Sequence, residues 1–158
     1  MDDINSKTAA ELKDQQMKVA GEKMLARALS RPQQEFGSFF LSRLMGFEVS
    51  YGEDTCSVCF TVEAPMSNPQ GSLHGGVIAT AMDISMGHLL RRHHGPGTTL
   101  EMKVQYLAAV RSGKVTATAR FMRSSRSINF LQSVLTGADG AKIAAATSTW
   151  KVLKRDKG

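Results

Sequence analysis

The sequence predicts an α+β domain in which an antiparallel sheet of five to six strands wraps around one long central helix. A run of small and apolar residues with helical spacing extends from about residue 74 to residue 90. Two segments before this run and four after it alternate polar and apolar residues, with the period of two that is typical of strands. The apolar face of the helix needs a partner, and a curved sheet can supply it.

The N-terminal segment is expected to be helical. Residues 8–29 read as a charged, weakly amphipathic helix that ends before Pro32. Its apolar stripe consists of Met17, Ala20, Met24 and Ala28. A second helix is predicted at 36–44. We therefore divide the chain into a helical arm, residues 1–34, and a domain, residues 35–158, and expect the arm to pack on the domain or on a partner subunit.

Six segments read as strands, at about 46–52, 55–64, 99–106, 114–122, 127–136 and 141–153. The short links "VRSG" and "GADG" favour hairpins, so the last four strands are expected to be sequential antiparallel neighbours. Cys56 and Cys59 are three residues apart in a predicted strand, which places their thiols on opposite faces. We expect two structural cysteines in a reducing compartment, and neither a metal site nor a redox pair.

Composition and charge narrow the functional classes. No apolar run reaches the roughly 18 to 20 residues of a membrane span, and the N-terminus is too charged for a signal peptide, so we expect a cytoplasmic protein. Residues 84–158 hold 13 basic and 3 acidic side chains, whereas residues 31–83 hold 2 and 6. This asymmetry fits an anionic ligand, a nucleic acid or a solvated face. Aromatic residues are 6% of the chain and do not interleave with the basic ones, so we expect no nucleic-acid partner.

The stretch "NPQGSLHGGVIATAMDISMG" opens the central helix with Gly75 and Gly76 and carries Asp83 in its middle. Each glycine weakens a helix by about 1 kcal/mol relative to alanine. Glycines at a helix start also let a ligand approach free N–H donors, where the helix dipole favours negative charge, as in an oxyanion hole. The helical neighbours of Asp83 are small and leave room over its carboxylate: Gly76, Ala79, Thr80 and Gly87. The alternative is an ordinary solvated polar face.

The spacing of these groups predicts a shared site. Gly75 and Asp83 are eight residues apart, or about 12 Å along a helix axis. Both groups cannot then lie about 3 Å from one reacting carbonyl within a single chain. A two-fold dimer with antiparallel central helices would bring Gly75 of one subunit to Asp83 of the other.

The sequence favours a catalytic histidine or serine less than it favours Asp83. His74 is nine residues before Asp83, so the two cannot form a pair within one regular helix, and we expect His74 to be a structural or orienting group. Ser72 lacks the glycine two residues before the serine of a nucleophile elbow. We expect no metal, and we interpret the remaining histidines as exposed residues at the helix end: His88, His93 and His94.

The segment "RSSRS" combines Arg123 and Arg126 with Ser124 and Ser125 near a strand junction. Arginine with hydroxyl and backbone donors suits phosphate binding. An ordinary solvated turn is the alternative.

An asparagine, a His-Gly-Gly triplet and an aspartate, met here as Asn68, His74, Gly75, Gly76 and Asp83, resemble the motif of the hotdog-fold acyl-CoA thioesterases. The chain looks closest to the phenylacetate-pathway (PaaI-like) branch, over about residues 35–153. The resemblance implies hydrolysis of an acyl-CoA to a free acid and CoA, without a cofactor, by a homodimer or homotetramer.

The resemblance also implies a role for each residue of the motif. Asp83 would be the nucleophile or general base, and the Gly75 amide would polarise the thioester carbonyl. Asn68 would orient water or the acyl group, His74 would support the loop, and Gly76 would contact substrate. Some relatives carry a hydroxyl residue one turn after the carboxylate, where this chain has Gly87. A thiolate leaves readily, so one carboxylate and an oxyanion hole can suffice.

The substrate-binding residues implied for the CoA phosphates are Arg123, Ser124, Ser125 and Arg126. The acyl group stays open between an aryl and a medium-chain type, with a pocket expected from Phe36, Phe39, Phe40 and Met82. Two other functions also stay open. They are a non-catalytic acyl-CoA-binding protein or regulator, and a hotdog dehydratase acting on enoyl thioesters.

Overall fold

The computed structural model describes residues 8–153, and its six strands form one antiparallel sheet in the order β1-β2-β4-β5-β6-β3. The helices are α1 (Ala9–Leu29), α2 (Phe40–Leu44) and α3 (Gly75–His94). The strands are β1 (Glu48–Tyr51), β2 (Cys56–Thr61), β3 (Gly97–Tyr106), β4 (Lys114–Arg123), β5 (Ile128–Gly137) and β6 (Lys142–Val152). The predicted α+β class, with six strands around one central helix, is confirmed.

The core lies between α3 and the concave face of the sheet. The buried apolar residues of α3 are Val77, Ile78, Ala81, Met82, Met86, Leu89 and Leu90. They pack against alternate residues of the strands, such as Val58, Ala117 and Leu131, which are fully buried. Full burial of one such aliphatic side chain stabilises a fold by about 1.5–3 kcal/mol. The packing therefore fixes which face of α3 is turned away from solvent.

The expected order of the last four strands is wrong at one connection. β3 pairs with β6 at the sheet edge, whereas β4 pairs with β2 and β5. The segment containing "VRSG" therefore crosses from the sheet edge to β4 and does not form a hairpin. At its start, the N–H groups of Leu107 and Ala108 donate to the Ile143 carbonyl of β6 at 2.8 and 3.1 Å. The Val110 carbonyl accepts from the Leu73 N–H at 2.8 Å, next to the start of α3. "GADG" does form the β5–β6 turn, with Gly140 at φ 81°.

A β-bulge in β3 changes which residues of this strand face α3. The pairing with β6 shifts between Thr99 and Glu101, so Leu100 is an additional residue and its side chain is 55% exposed. An extra residue in a strand reverses the inward and outward phase beyond it. Thr99 consequently faces α3, where a strict alternation through Leu100 and Met102 would have turned it outward.

The N-terminal arm is attached to α2 by two arginines. Arg27 donates to the carbonyls of Arg43 and Leu44 at 2.7 and 2.8 Å and forms a 2.8 Å ion pair with Glu63. Arg43 in turn donates to the Ala28 carbonyl at 3.0 Å. The buried residues of α1 are Met24 and Ala28, whereas Met17 of the predicted stripe is 45% exposed. The division into 1–34 and 35–158 stays a prediction.

Three smaller expectations have clear outcomes. α2 begins at Phe40 and not at residue 36, because residues 35–38 form a turn closed by the Ser38 N–H to the Glu35 carbonyl at 2.9 Å. Cys56 is buried, Cys59 is half-buried, and both are free, as the strand alternation predicted. Within residues 8–153, no helix is long and apolar enough to cross a membrane.

Candidate active site

The N-terminus of α3 is capped by the side chain of His74. Its Nδ1 atom accepts the Gly76 N–H at 2.9 Å, while the ring is exposed to solvent. An accepting Nδ1 leaves the proton of the neutral ring on Nε2. A Cβ atom added at residue 76 would lie 3.0 Å from His74 Nδ1, so the missing side chain of Gly76 makes room for this cap.

Gly75 is the first residue of α3, and its N–H makes no hydrogen bond within residues 8–153. The first N–H groups of a helix have no intrahelical acceptor, so this amide is available to a ligand. The Tyr106 hydroxyl donates to the Gly75 carbonyl at 3.0 Å. A Cβ atom at residue 75 would lie 3.1 Å from Cζ of Tyr106, so this contact favours glycine.

Asn68 shapes the loop that leads into α3. Its Nδ2 donates to Ser72 Oγ at 3.0 Å, and its Oδ1 accepts the Ser72 N–H at 3.1 Å. Asn68, Gly75 and Tyr106 together line a cavity of about 340 Å³, which also includes Ile78. The structure thus brings two of the predicted site residues, Asn68 and Gly75, to one cavity.

Asp83 lies on a different part of α3 and is half-buried. The Thr99 hydroxyl, which the β3 bulge turns toward α3, donates to Asp83 Oδ1 at 2.9 Å. Burial raises the pKa of the Asp83 carboxyl above its ordinary value, and the hydrogen bond from Thr99 partly offsets this rise. A carboxylate with a raised pKa is a stronger base than an ordinary exposed one.

A second cavity, of about 210 Å³, lies beside Asp83. Its other lining residues are Phe36, Phe39, Ile84, Gly87, His88, Arg91, Pro96, Gly97 and Trp150. The two expected phenylalanines Phe36 and Phe39 are present, but Phe40 does not line this cavity and Met82 is fully buried. The aspartate is therefore in a separate cavity from the Gly75 amide of the same chain.

The prediction that small residues leave open space around Asp83 needs correction at Gly87. A Cβ atom at residue 87 would lie 2.8 Å from Cη2 of Trp150, so the indole already occupies this space. Trp150 is itself held by a hydrogen bond from its Nε1 to Ser148 Oγ at 2.7 Å. The room beside Asp83 is consequently bounded by an aromatic wall.

The expectation that His88 is exposed is wrong. Its side chain is 3% exposed, because residue 88 faces β1 and the turn before α2 and not solvent. Its Nδ1 lies 2.7 Å from the Tyr51 hydroxyl, and its ring stacks on Phe36 with centroids 4.1 Å apart. Burial, and then the charge of Arg91, lower the pKa of His88 to about 4.

The other two histidines of this helix end pack on a phenylalanine. His93 and His94 lie edge-on to Phe121, with centroid distances of 5.5 and 5.6 Å. His93 is exposed, as expected, and His94 is half-buried. No group of three or more metal-ligating side chains is found in the part of the chain that the structure describes.

The predicted phosphate-binding residues lie at the end of β4, where Arg123 is the last residue, and in the connection from β4 to β5. Arg123 and Arg126 are exposed, and Ser124 Oγ lies 2.6 Å from His94 Nε2. The Ser125 N–H donates to Oδ1 of the buried Asn129 at 2.8 Å, which fixes the loop. The connection therefore presents two cations on a braced turn.

The sequence interpretation missed three residues that shape the site: Thr99, Tyr106 and Trp150. For Thr99, the available signal was a polar pair, Thr98 and Thr99, at the start of a strand. Tyr106 and Trp150 appear in the sequence as ordinary strand residues. Their contacts with α3 depend on strand order and on the β3 bulge, which local patterns do not reveal.

A curved antiparallel sheet around one helix, with a free amide where that helix begins and a half-buried carboxylate along it, defines a protein of the hotdog fold. The sequence profile of the thioesterase superfamily matches residues 70–144. The medium/long-chain acyl-CoA thioesterase YigI of Salmonella typhimurium is 28% identical over 130 residues, which cover 70% of this chain and 84% of the relative.

Two further similarities extend this result. A putative esterase of Haemophilus influenzae is 34% identical over 92 residues, covering 56% of this chain and 67% of the relative. A Bacillus halodurans protein solved with CoA shares the fold, with a TM-score of 0.77 at 20% identity over 94% of this chain and 98% of that one. The chain belongs to the thioesterase superfamily. The predicted fold and family are confirmed, and the phenylacetate-pathway branch stays a prediction.

Proposed function

We propose that this protein is a cytoplasmic acyl-CoA thioesterase, active as a homodimer or homotetramer, that hydrolyses an acyl-CoA to a free acid and CoA. The observation that carries the proposal is Asp83, a half-buried carboxylate that accepts a hydrogen bond from Thr99 and borders a cavity. The relative YigI is named for acyl-CoA hydrolysis, and the Bacillus halodurans structure contains CoA. Both support this substrate class.

The Gly75 amide would polarise the thioester carbonyl. Its N–H is unpaired within residues 8–153 and lies at the positive end of the α3 dipole. One preorganised donor of this type contributes about 3–4 kcal/mol to a transition state that carries an oxyanion. Tyr106, which bonds the carbonyl of the same residue, would hold this donor in place.

Asp83 would act on the carbonyl carbon as a nucleophile or as the general base for water. As a base, it takes one proton from water while the water oxygen bonds to the carbonyl carbon. The carbon–sulfur bond then breaks, the CoA thiolate leaves with the electron pair, and the acid is released. The Thr99 hydroxyl bonds Oδ1, and no residue of the range 8–153 bonds the other carboxylate oxygen, which would take this role.

The two groups would meet across a subunit interface. Asn68 and Gly75 line one cavity and Asp83 lines another, and the eight-residue spacing corresponds to about 12 Å along α3. In a two-fold dimer, the Asp83 cavity of one subunit would face the Gly75 cavity of its partner. Asn68 would then orient water or the acyl group, and His74 would support the loop.

The CoA moiety would extend over the basic β4–β5 connection. Arg123 and Arg126 are exposed and would pair with phosphates. The Ser124 hydroxyl pairs with His94 and the Ser125 hydroxyl donates to the Ile128 carbonyl, so both would have to rearrange to contact the phosphates. Charge-assisted hydrogen bonds from arginine suit phosphate oxygens. Gly76, exposed beside the amide site, would allow the pantetheine arm to approach.

Substitution of Asp83 tests the reaction. Asp83→Asn is nearly isosteric and can still accept the bond from Thr99, but it cannot take a proton. We expect at least a hundredfold loss of kcat on a panel of acyl-CoAs, measured by release of free thiol. Unchanged turnover would contradict the proposal, tight binding without turnover by the wild-type chain would favour a sensor, and hydration of enoyl thioesters would favour a dehydratase.

A mixing experiment tests the shared site. Gly75→Pro removes the donor N–H at a helix position that tolerates proline. Gly75→Ala is its control, because it places a Cβ against the same Tyr106 ring and keeps the N–H. Inactive Asp83→Asn and Gly75→Pro chains should regain activity when mixed, since a heterodimer holds one intact site. The absence of any recovery in verified heterodimers would argue against sharing.

A further inference from the structure

His88 carries a polar atom that the fold leaves without a partner. The side chain is 3% exposed, and its Nε2 makes no hydrogen bond to any residue of the described range 8–153. Leaving a buried polar group unpaired costs about 1–3 kcal/mol, so such atoms are uncommon in native proteins. His88 also forms part of the wall of the cavity beside Asp83. His88 therefore lies at the border of the proposed acyl site.

The other ring nitrogen determines the chemical state of His88. Nδ1 lies 2.7 Å from the Tyr51 hydroxyl. A phenol is the better donor of this pair and an imidazole nitrogen the better acceptor, so the hydroxyl donates and the ring proton resides on Nε2. Because the pKa of His88 is lowered to about 4, the ring is neutral near pH 7. It offers one unused N–H donor.

The position of this donor relates it to the cavity. Nδ1 and Nε2 flank Cε1 of the imidazole ring and point in diverging directions, so the Nε2–H points away from the Tyr51 hydroxyl. Phe36 covers one face of the ring with centroids 4.1 Å apart, and Phe36 itself lines the cavity and is 50% exposed. The Nε2–H lies in the ring plane and Phe36 covers a face, so a ligand would reach this donor along the ring plane from the cavity that His88 lines, and a shift of the half-exposed Phe36 side chain would widen that approach.

The surrounding wall is mostly apolar, which makes a neutral donor in it selective. Phe39, Ile84 and Trp150 contribute apolar surface to the same cavity, and the guanidinium of Arg91, which also lines it, lies over the Phe36 ring with Cζ 4.1 Å from the centroid. In such surroundings one N–H distinguishes a ligand that has an acceptor from one that does not, because the latter leaves the donor unpaired. We propose that His88 is a specificity-determining residue whose Nε2–H binds an oxygen atom on the acyl group. The enzyme would then prefer acyl chains with a hydroxyl, keto or ether oxygen over plain hydrocarbon chains.

The spacing along α3 locates the oxygen on the chain. His88 is five residues after Asp83, or about 7.5 Å along the helix axis. The thioester carbonyl would lie at Asp83, so the oxygen belongs several bonds further along the acyl chain. This inference rests on the proposed thioesterase function and adds a substrate class to it.

The test is a series of medium-chain acyl-CoAs of equal length, either unsubstituted or with one hydroxyl group at successive carbons. For the wild-type protein, we expect kcat/KM for the best hydroxylated member to exceed that for the plain chain by about tenfold, the value of one neutral hydrogen bond. His88→Phe keeps a planar ring without the donor. It should hydrolyse the plain chain and bring this ratio to about one.

Two further variants distinguish a loss of the Nε2–H hydrogen bond from a disturbance of the fold around residue 88. His88→Gln can place an amide N–H near the position of Nε2 and should restore part of the preference. Tyr51→Phe keeps the imidazole but removes the hydroxyl that holds the ring proton on Nε2, so the preference should weaken because either ring nitrogen can then carry the proton. Circular dichroism establishes that each variant is folded.

Two results would overturn the inference. One is a wild-type protein that prefers no hydroxylated member over the plain chain. The other is an equal preference in wild type and in the folded His88→Phe chain, which lacks the donor. Failure to hydrolyse any acyl-CoA, the plain chain included, would instead contradict the proposed function, and this inference with it.

Discussion

Burial of His88 makes the stability of this protein depend on pH in a window set by one residue. The pKa of His88 is about 4 in the folded chain, against an ordinary value of 6.5. As pH falls below 6.5, the unfolded chain takes up the proton first, so the contribution of the neutral ring to stability decreases. That contribution is fully present above pH 6.5 and is lost as pH falls through the folded value of about 4.

The size of the loss follows from the two pKa values. A difference of about 2.5 pH units at 1.36 kcal/mol per unit corresponds to about 3 kcal/mol between neutral pH and pH 4. This is a substantial part of the roughly 5–15 kcal/mol that stabilises an ordinary domain. His88→Gln removes the titrating group, so its free energy of unfolding should fall less steeply with decreasing pH.

Urea unfolding at a series of pH values measures this difference, with one protein concentration throughout because subunit association also contributes to stability. Taking the difference between wild type and His88→Gln cancels the carboxyl groups that titrate in both. His93→Gln is the matched control, since it removes an exposed histidine from the same helix and should keep the wild-type slope. Parallel profiles for wild type and His88→Gln would refute the reasoning.

Three further outcomes are expected. Asp83→Asn should raise the thermal midpoint at neutral pH although it abolishes turnover, because burial raises the pKa of the carboxyl and thus penalises its ionised form. This gain in thermal midpoint should vanish in acid, where the wild-type carboxyl is protonated. A lower midpoint of the variant at neutral pH would contradict the expectation. Gly87→Ala should destabilise by about 1–3 kcal/mol in urea unfolding, since its methyl would meet Trp150 at 2.8 Å. The control Gly21→Ala has nothing within 4 Å and should stabilise by up to about 1 kcal/mol; equal midpoints for the two variants would exclude the clash. Tyr106→Phe should lower kcat about threefold to tenfold with little change in KM, because the first carbonyl of α3 loses its donor, and an unchanged kcat would show that this bond does not position the amide.

Local periodicity was sufficient for the main elements of the fold. The apolar positions of α3 and the alternation of β4 depend on residues a few positions apart, and the structure confirms both. Such local patterns do not determine the order of the strands in the sheet. The sequence suggested a hairpin between β3 and β4, yet β3 pairs with β6, because the neighbour of a strand is chosen by contacts between distant segments.

The same distinction applies to the candidate site. The sequence by itself determined that Gly75 and Asp83 lie on one helix, too far apart for one substrate, because the rise per residue of a helix is constant. Only the tertiary structure decided which groups surround them. The β3 bulge turns Thr99 to Asp83, packing against α3 places Tyr106 on Gly75, and the turn before α2 covers His88. These contacts join residues far apart in the chain, and burial arises from the whole fold and not from a residue's immediate neighbours.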